Sequence, residues 1–187
     1  SSRSAGKMYG DCVKDRWLLD SPLPEAAAAL PVFDAMADAE RIAKAVDFVF
    51  CAVDLPKDET RALEERYAKL ECPVISNNSA CRGLPDVPML LPECNGGHAA
   101  VIPQQRRRLG TVRGSIAVKP NCSLQSYVPA LHPLREFSLK RLLVVTCQAI
   151  SGAGKSFSTW PEMVDNLIPL IPGEEEKSQR EPLKIWG

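Results

Sequence analysis

The feature that most constrains the fold is a strand–helix–strand pattern in the first half of the chain. The run VDFVFCAV, residues 46–53, is short, apolar and rich in β-branched and aromatic residues, which is typical of a buried parallel strand. The next segment, PKDETRALEERYAKLEC, predicts a helix with apolar residues on one face: Ala62, Leu63, Tyr67 and Leu70. CPVISNN, residues 72–78, then indicates a second strand. This order forms a βαβ unit, so the sequence predicts an α/β fold with a parallel sheet.

Polar residues follow the second strand at the point where it ends. Ser76 to Ser79 lie at its carboxyl end, and open parallel sheets bind their ligands at that edge. Ser79 is therefore a candidate for contact with a cofactor.

The pattern of predicted strands and connections changes near residue 115. Three prolines, at positions 85, 88 and 92, predict an extended connection rather than a helix. Beyond it, SIAVKPNCS and RLLVVTCQAISGAG each predict a strand, separated by long irregular connections. We therefore expect a nucleotide-binding domain over residues 1–115 and a second, α+β domain over residues 116–187.

Composition excludes several classes of function. Lys+Arg and Asp+Glu both number 23, so bulk electrostatics favour neither nucleic acid nor an anionic membrane as a partner. No apolar run approaches the roughly 20 residues that a membrane-spanning helix needs, and no secretion signal is visible at the first residues. The seven cysteines form no CxxC pair and no metal-ligand spacing, which predicts reduced thiols in a cytoplasmic protein without a structural metal.

One cysteine stands where a nucleophile could be activated. Cys122, in KPNCS, precedes apolar residues at helical spacing, and a helix N-terminus favours a thiolate. The alternative is a buried thiol that serves as a small core residue. Asn121 could cap the helix or donate to a substrate carbonyl oxygen. His132 lies ten residues further on, too far along a helix to reach the sulfur, so the sequence shows no general base for Cys122.

Four polar segments cannot be assigned a role from their local pattern alone. SSRSAGK, with Ser1, Arg3 and Ser4, suits a phosphate, and its arginine favours the 2′-phosphate of NADP; it could equally be a solvated turn. QAISGAGKS could approach a cofactor ring, but it lacks the GxxxxGK[ST] spacing of a P-loop. The basic stretch of residues 104–114 is typical of a solvated helix end or loop, with a patch for a phosphate or a partner as the alternative. The charged GEEEKSQREPLK is typical of a solvated helix face.

Seven segments in one order give the chain a family resemblance. These are SSRSAGK, VISNNSACRGLPDVPMLLPECN, KPNCS, LHPL, CQAISGAG, MVDNLIPLIPGEEEK and EPLKI. Together they resemble the aspartate-β-semialdehyde dehydrogenase family, and its fungal and archaeal branch more than its enterobacterial one. The resemblance implies a Rossmann-type NADP-binding domain followed by a catalytic and dimerisation domain, both incomplete here. It also implies NADPH-dependent reduction of L-aspartyl 4-phosphate to the semialdehyde and inorganic phosphate, by a homodimer or homotetramer.

The resemblance also implies roles for single residues. Cys122 would be the nucleophile that forms an acyl-thioester, with Gln148 orienting the substrate. Arg82 and Asn121 would bind the substrate phosphate, and Glu174 and Lys177 the rest of the substrate. The residues matching the family's NADP contacts are Ser1, Arg3 and Ser4 near the 2′-phosphate, and Ser151 and Gly152 near the nicotinamide.

The sequence also departs from the family pattern. A first strand with a GxxGxVG turn, a downstream substrate-binding arginine and a histidine base are all absent from these 187 residues. We therefore expect the middle of a longer enzyme, which alone neither binds NADPH tightly nor turns over. Malonyl- or succinyl-CoA reductases share the fold and the cysteine, and N-acetylglutamyl-phosphate reductases are more distant relatives. A non-catalytic assembly subunit or fragment is the alternative from another class.

Overall fold

Residues 4–153 and 155–187 are described by the structure, a computed structural model. They form two compact units: the residues up to Ser76 with Pro103–Ile116, and Asn77–Ile102 with Ala117–Gly187. Residues 77–102, which the sequence analysis assigned to the first domain, thus pack within the second unit.

The described residues contain three short strands and eight α-helices, joined by turns and 3₁₀ segments. The strands are β1 Val49–Cys51, β2 Val74–Ser76 and β3 Ile116–Val118. The helices are α1 Tyr9–Val13, α2 Glu25–Ala28, α3 Ala39–Ala45, α4 Lys57–Lys69, α5 Pro92–Asn95, α6 Ile102–Leu109, α7 Leu124–Leu131 and α8 Glu174–Trp186. The 3₁₀ segments are Gly96–Val101, His132–Phe137, Ile150–Ala153 and Pro161–Met163.

The βαβ prediction is confirmed in the first unit. β1 pairs in parallel with β2, with Val49 opposite Val74 and Cys51 opposite Ser76. The connecting helix α4 carries acids in its first turn and basic residues in its last, which complements the helix dipole. Its buried residues recur every three or four positions and form the inner face of the helix: Thr60, Leu63, Glu64, Tyr67 and Ala68.

A buried glutamine holds β3 at the edge of this sheet, whose strand order is β1-β2-β3. The Gln105 side chain donates to the Ile116 carbonyl at 2.9 Å and accepts from the Ile116 amide at 2.6 Å. Both backbone groups of Ile116 are thereby satisfied away from water, as buried polar groups must be. The chain passes into the second unit within β3.

The proline-rich connection, predicted to be extended, is extended only over residues 88–91, because residues 85–87 form a turn in which the Val87 amide donates to the Leu84 carbonyl. Val118 donates to the Pro88 carbonyl at 2.9 Å, and Leu90 donates to the Val118 carbonyl at 2.8 Å. Met89 and Val118 form a parallel bridge. Pro92 occupies the start of α5, where its missing N–H costs no hydrogen bond.

The strand predicted in RLLVVTCQAI is wrong for this structure. Residues 138–149 are neither strand nor helix, and Leu143 and Val145 are 90% and 86% exposed. Alternation of apolar residues indicates a strand, but a strand also needs a neighbouring strand for its backbone. Within the described parts of the chain, no strand pairs with this segment.

No helix in the described parts of the chain combines the length and apolarity that crossing a membrane requires.

Candidate active site

One face of α8 carries four charged side chains toward the same region of the second unit. Glu174, Lys177, Glu181 and Lys184 follow one another at intervals of three or four residues, and such positions share a helix face. Gly173 precedes the helix in a left-handed conformation (φ +76°), which a residue with a side chain rarely adopts. Three acids in the first turn, where the helix dipole favours negative charge, further stabilise this helix start.

The loop Lys119–Ser123, named the Cys122 loop, leads from β3 into α7. The Asn121 side-chain oxygen accepts the Ser123 amide at 2.8 Å, which fixes the turn before the helix begins. The Asn121 backbone amide donates to Glu181 Oε2 at 2.6 Å. Cys122 lies between these two anchored residues and is exposed, so it is not the buried core thiol that the sequence left open.

Glu174 is the centre of the hydrogen-bond network around this loop. Its Oε1 accepts the Ser123 hydroxyl at 2.5 Å and the Gln148 amide at 2.9 Å. Its Oε2 accepts the Asn121 side-chain amide at 2.9 Å, and the Lys177 ammonium lies 3.6 Å away. Burial alone would raise the pKa of Glu174, but these hydrogen bonds and the charge of Lys177 outweigh burial and lower it. The carboxylate is therefore ionised at neutral pH.

Gln148 joins the network to the thiol. Its amide nitrogen also donates to the Ser123 hydroxyl oxygen at 2.9 Å, and its side-chain oxygen accepts the Cys122 thiol at 3.8 Å. An open cavity of about 340 Å³ lies beside this pair. Its lining includes Cys122, Ser123, Cys147, Gln148, Ser151 and Gly152.

Arg82 approaches the network from the other side of Glu181. Its Nη1 forms an ion pair of 3.0 Å with Glu181 Oε1, and its Nη2 donates to the Asn77 carbonyl at 3.1 Å. Its Nε is buried and makes no hydrogen bond. Lys184 donates to the carbonyls of Arg82 and Leu84, both at 2.6 Å.

Burial lowers the pKa of two lysines in this region. For Lys184, burial is the largest cause and nearby Asp86, Cys81 and Glu181 oppose it. For Lys119, burial acts together with the charge of Arg82. A guanidinium and two lysines thus lie near Glu181, and the charge of Lys119 also acts on Cys122, an arrangement suited to a multiply charged anion.

The structure brings together most of the residues singled out in the sequence. Six share the network, while Ser151 and Gly152 line the same cavity as Cys122; the six are Arg82, Asn121, Cys122, Gln148, Glu174 and Lys177. Ser79 lies in the second unit, where its carbonyl accepts the Arg82 amide at 3.3 Å. Ser4 lies in a turn of the first unit, and Ser1 and Arg3 fall outside the described residues.

Three network members were missed by sequence reasoning: Ser123, Glu181 and Lys184. In the sequence, Ser123 is visible only as the serine of KPNCS. Glu181 and Lys184 were hidden in a charge run, although their spacing of seven residues from Glu174 and Lys177 places them on the same helix face. That periodicity was the available signal.

Neither histidine contacts Cys122. Trp186 donates to His132 Nδ1 at 3.1 Å, and His98 Nδ1 lies 3.2 Å from the Met89 carbonyl oxygen. In the parts of the chain that the structure describes, no group of three or more histidine, cysteine or acidic side chains could hold a metal ion.

Several known proteins are similar to this chain. An aspartate-semialdehyde dehydrogenase of Methanothermobacter thermautotrophicus is 40% identical over 188 residues, covering 100% of this chain and 52% of that protein. A crystal structure of aspartate semialdehyde dehydrogenase with NADP from Candida albicans matches with a TM-score of 0.77 and 30% identity, covering 100% of this chain and 51% of that one. Malonyl CoA reductase (NADP) of Metallosphaera sedula is 33% identical over 183 residues, covering 97% of this chain and 49% of that protein.

The chain therefore spans about half the length of the curated relatives that it matches. Its residues 1–102 match the family model described as semialdehyde dehydrogenase, NAD binding domain. The α/β prediction and the resemblance drawn from the sequence are both confirmed by these matches. The chain belongs to the semialdehyde dehydrogenase family.

Proposed function

We propose that the complete protein carrying this chain reduces L-aspartyl 4-phosphate to L-aspartate 4-semialdehyde with NADPH, through an acyl-thioester on Cys122. The observation that carries the proposal is the placement of an exposed thiol between two anchored residues, in contact with Gln148 and beside an open cavity. The relatives named aspartate-semialdehyde dehydrogenase support the choice of substrate. Assembly into a homodimer or homotetramer in the cytoplasm belongs to the same proposal.

In the first step, Cys122 Sγ attacks the carbonyl carbon of the acyl phosphate. A sulfur–carbon bond forms, the carbon–oxygen bond to the phosphoryl group breaks, and inorganic phosphate leaves with the electron pair. The attacking species is the thiolate, whose proton has passed to a base other than Gln148 before the attack. Gln148 orients the thiol through its side-chain oxygen, and an amide oxygen is too weak a base to take that proton. Arg82 and the Asn121 amide group are the donors that would stabilise the leaving phosphate.

The second step releases the aldehyde from the thioester. When bound, NADPH supplies the hydride that reduces the thioester carbonyl carbon, after which the carbon–sulfur bond breaks and the thiolate is restored. Ser151 and Gly152 suit the nicotinamide end, because both line the cavity beside Cys122 and no atom lies within 4 Å of where a Cβ on Gly152 would stand. Ser1, Arg3, Ser4 and Ser79 are proposed to hold the remainder of NADP.

Glu174 and Lys177 favour an amino-acid substrate. An ionised carboxylate can pair with the substrate ammonium, and the lysine can pair with a carboxylate or phosphate. Both Glu174 oxygens are already hydrogen bonded, so an ammonium group would replace one of the present donors. Malonyl-CoA, the second candidate substrate because of the relative of that activity, carries no ammonium group.

The test is phosphate-dependent oxidation of aspartate semialdehyde by the complete protein. The appearance of NADPH measures the rate. We expect NADP-dependent turnover that falls by a factor of about 1,000 or more in Cys122→Ser. Cys147→Ser is the matched control, because Cys147 is also exposed and lines the same cavity. Turnover with malonate semialdehyde and coenzyme A, but none with aspartate semialdehyde, would establish the second candidate instead.

A further inference from the structure

We propose that Glu181 is a positioning residue that holds Arg82 and the Cys122 loop at a fixed separation through the two oxygens of one carboxylate. This inference rests on the proposed function for its consequence in catalysis, while its geometric part can be tested separately. Glu181 does not touch the thiol and would act only through its two neighbours.

The two oxygens of Glu181 have different partners. Oε2 accepts the backbone amide of Asn121 at 2.6 Å, the residue directly before the thiol. Oε1 pairs with Arg82 Nη1 at 3.0 Å. Because a carboxylate is a rigid planar group, these two short contacts fix the position of the guanidinium relative to the loop.

The contacts of Glu181 with Arg82 and Asn121 lie away from water, which restricts their geometry. Glu181 and Asn121 are buried, and the side chain of Arg82 is 11% exposed. A buried charge that loses its partner is costly, so neither side chain is free to rotate into another arrangement.

Lys184 adds a second attachment one turn further along α8. Its ammonium donates to the carbonyls of Arg82 and Leu84, so the same helix face holds both the side chain and the backbone of Arg82. Asn77 fixes the other terminal nitrogen of the guanidinium at 3.1 Å. The arginine is thus oriented from three sides, while its Nε keeps an unused donor.

This arrangement has a consequence for anion binding. An arginine that is already oriented loses little conformational entropy when a phosphate binds, and Glu181 fixes its position relative to the Cys122 loop. Loss of the Glu181 carboxylate should therefore weaken phosphate binding more than it slows the chemistry of the thiol.

The experiment compares three variants of the complete protein. Glu181→Gln keeps the shape but offers one acceptor, so its amide nitrogen must face either the Asn121 amide or Arg82, both of which are donors. Glu181→Asp keeps both acceptor oxygens with a side chain one methylene shorter. Glu176→Gln is the matched control, because Glu176 is exposed on the same helix.

Two measurements are made on each variant. The first is the KM for inorganic phosphate in the oxidation of aspartate semialdehyde, which we expect to rise about 10-fold in Glu181→Gln and by much less in Glu181→Asp. The second is hydrogen exchange of the Asn121 amide, which we expect to become about 10-fold faster in Glu181→Gln. Glu176→Gln should change neither quantity.

The outcomes separate this inference from the proposed function. A role in folding alone would lower kcat by reducing the active fraction and would leave the KM for phosphate unchanged, which would overturn the inference. The inference would also be overturned if Glu181→Asp raised the KM for phosphate as much as Glu181→Gln, or if exchange of the Asn121 amide were unaltered in Glu181→Gln. If the wild-type protein did not act on aspartate semialdehyde but Asn121 exchange changed as expected, the positioning contact would stand and the proposed function would fail.

Discussion

Glu174 makes the candidate site sensitive to acid. The four surrounding groups lower its pKa from the ordinary value of 4.5, although burial opposes them. A carboxyl group whose pKa is lower in the folded protein stabilises the fold fully above its unfolded pKa. That contribution is lost as the pH falls through the folded pKa, so it should disappear in the acidic range below pH 4.5.

Glu174→Gln tests this dependence. We expect the variant to unfold with a free energy lower by about 1 kcal/mol near neutral pH, because it loses hydrogen bonds to a charged group. The difference from wild type should shrink when urea unfolding is repeated at a pH well below 4.5, where protonation of the wild-type carboxylate sets in. Glu176→Gln, an exposed acid of the same helix, serves as the control. An equal difference at both pH values would contradict the assignment.

The cysteines should separate by burial when a thiol reagent is applied. Burial raises the pKa of Cys72, and Cys51 and Cys81 are also buried, whereas Cys122 and Cys147 are exposed. We expect iodoacetamide to label the two exposed thiols of the native chain within minutes and the three buried ones only after unfolding. Peptide mass spectrometry after timed labelling measures this order. Labelling of Cys72 as fast as Cys147 would show that the first unit opens readily.

At the level of single residues, the sequence identifies candidate site residues better than it identifies the side chains that contact them. Cys122, Asn121 and Gln148 could be named from their order along the chain and their family resemblance. The exposure of Cys122 could not, since a helix start suits a buried thiol as well as an exposed one. The contact of Glu181 with Asn121 joins residues 60 positions apart, and no local pattern specifies which acid of a charge run turns inward.

Among the elements, α4 depends on a close approach at Gly114. A Cβ on this glycine would stand 1.8 Å from the Ala68 carbonyl oxygen, which belongs to the last turn of α4. Backbone cannot yield as a flexible side chain would, so we expect Gly114→Ala to lower the free energy of unfolding by about 3 kcal/mol. Denaturant unfolding of the 187-residue chain measures the change.

Gly97→Ala provides the comparison for this substitution. No atom lies within 4 Å of its added Cβ, and its φ is not in the left-handed region, so the change should stay within about 0.5 kcal/mol of wild type. Two variants of equal stability would mean that α4 does not pack against Gly114 as closely as this structure has it.

The same comparison explains which elements the sequence could predict. β1, α4 and β2 were correctly predicted, because local periodicity and a short connection specify a βαβ unit without distant partners. The segment of residues 138–149 has an equally apolar pattern, but a strand exists only where another backbone accepts its hydrogen bonds. The sequence of residues 138–149 does not specify whether a neighbouring strand is present. No local pattern could therefore decide whether this segment forms a strand.

For the whole molecule, the separation of thiol and histidine leads to a prediction about turnover. His132 is engaged by Trp186 and His98 lies against the Met89 carbonyl, so neither can accept the proton of Cys122 in this arrangement. We expect the 187-residue chain by itself to show no NADP-dependent oxidation of aspartate semialdehyde, while Cys122 is still labelled by iodoacetamide. The complete protein, assayed at the same concentration of reactive thiol, is the positive control. Phosphate-stimulated NADPH formation by the purified chain, lost in Cys122→Ser, would show instead that these residues hold a full set of catalytic groups.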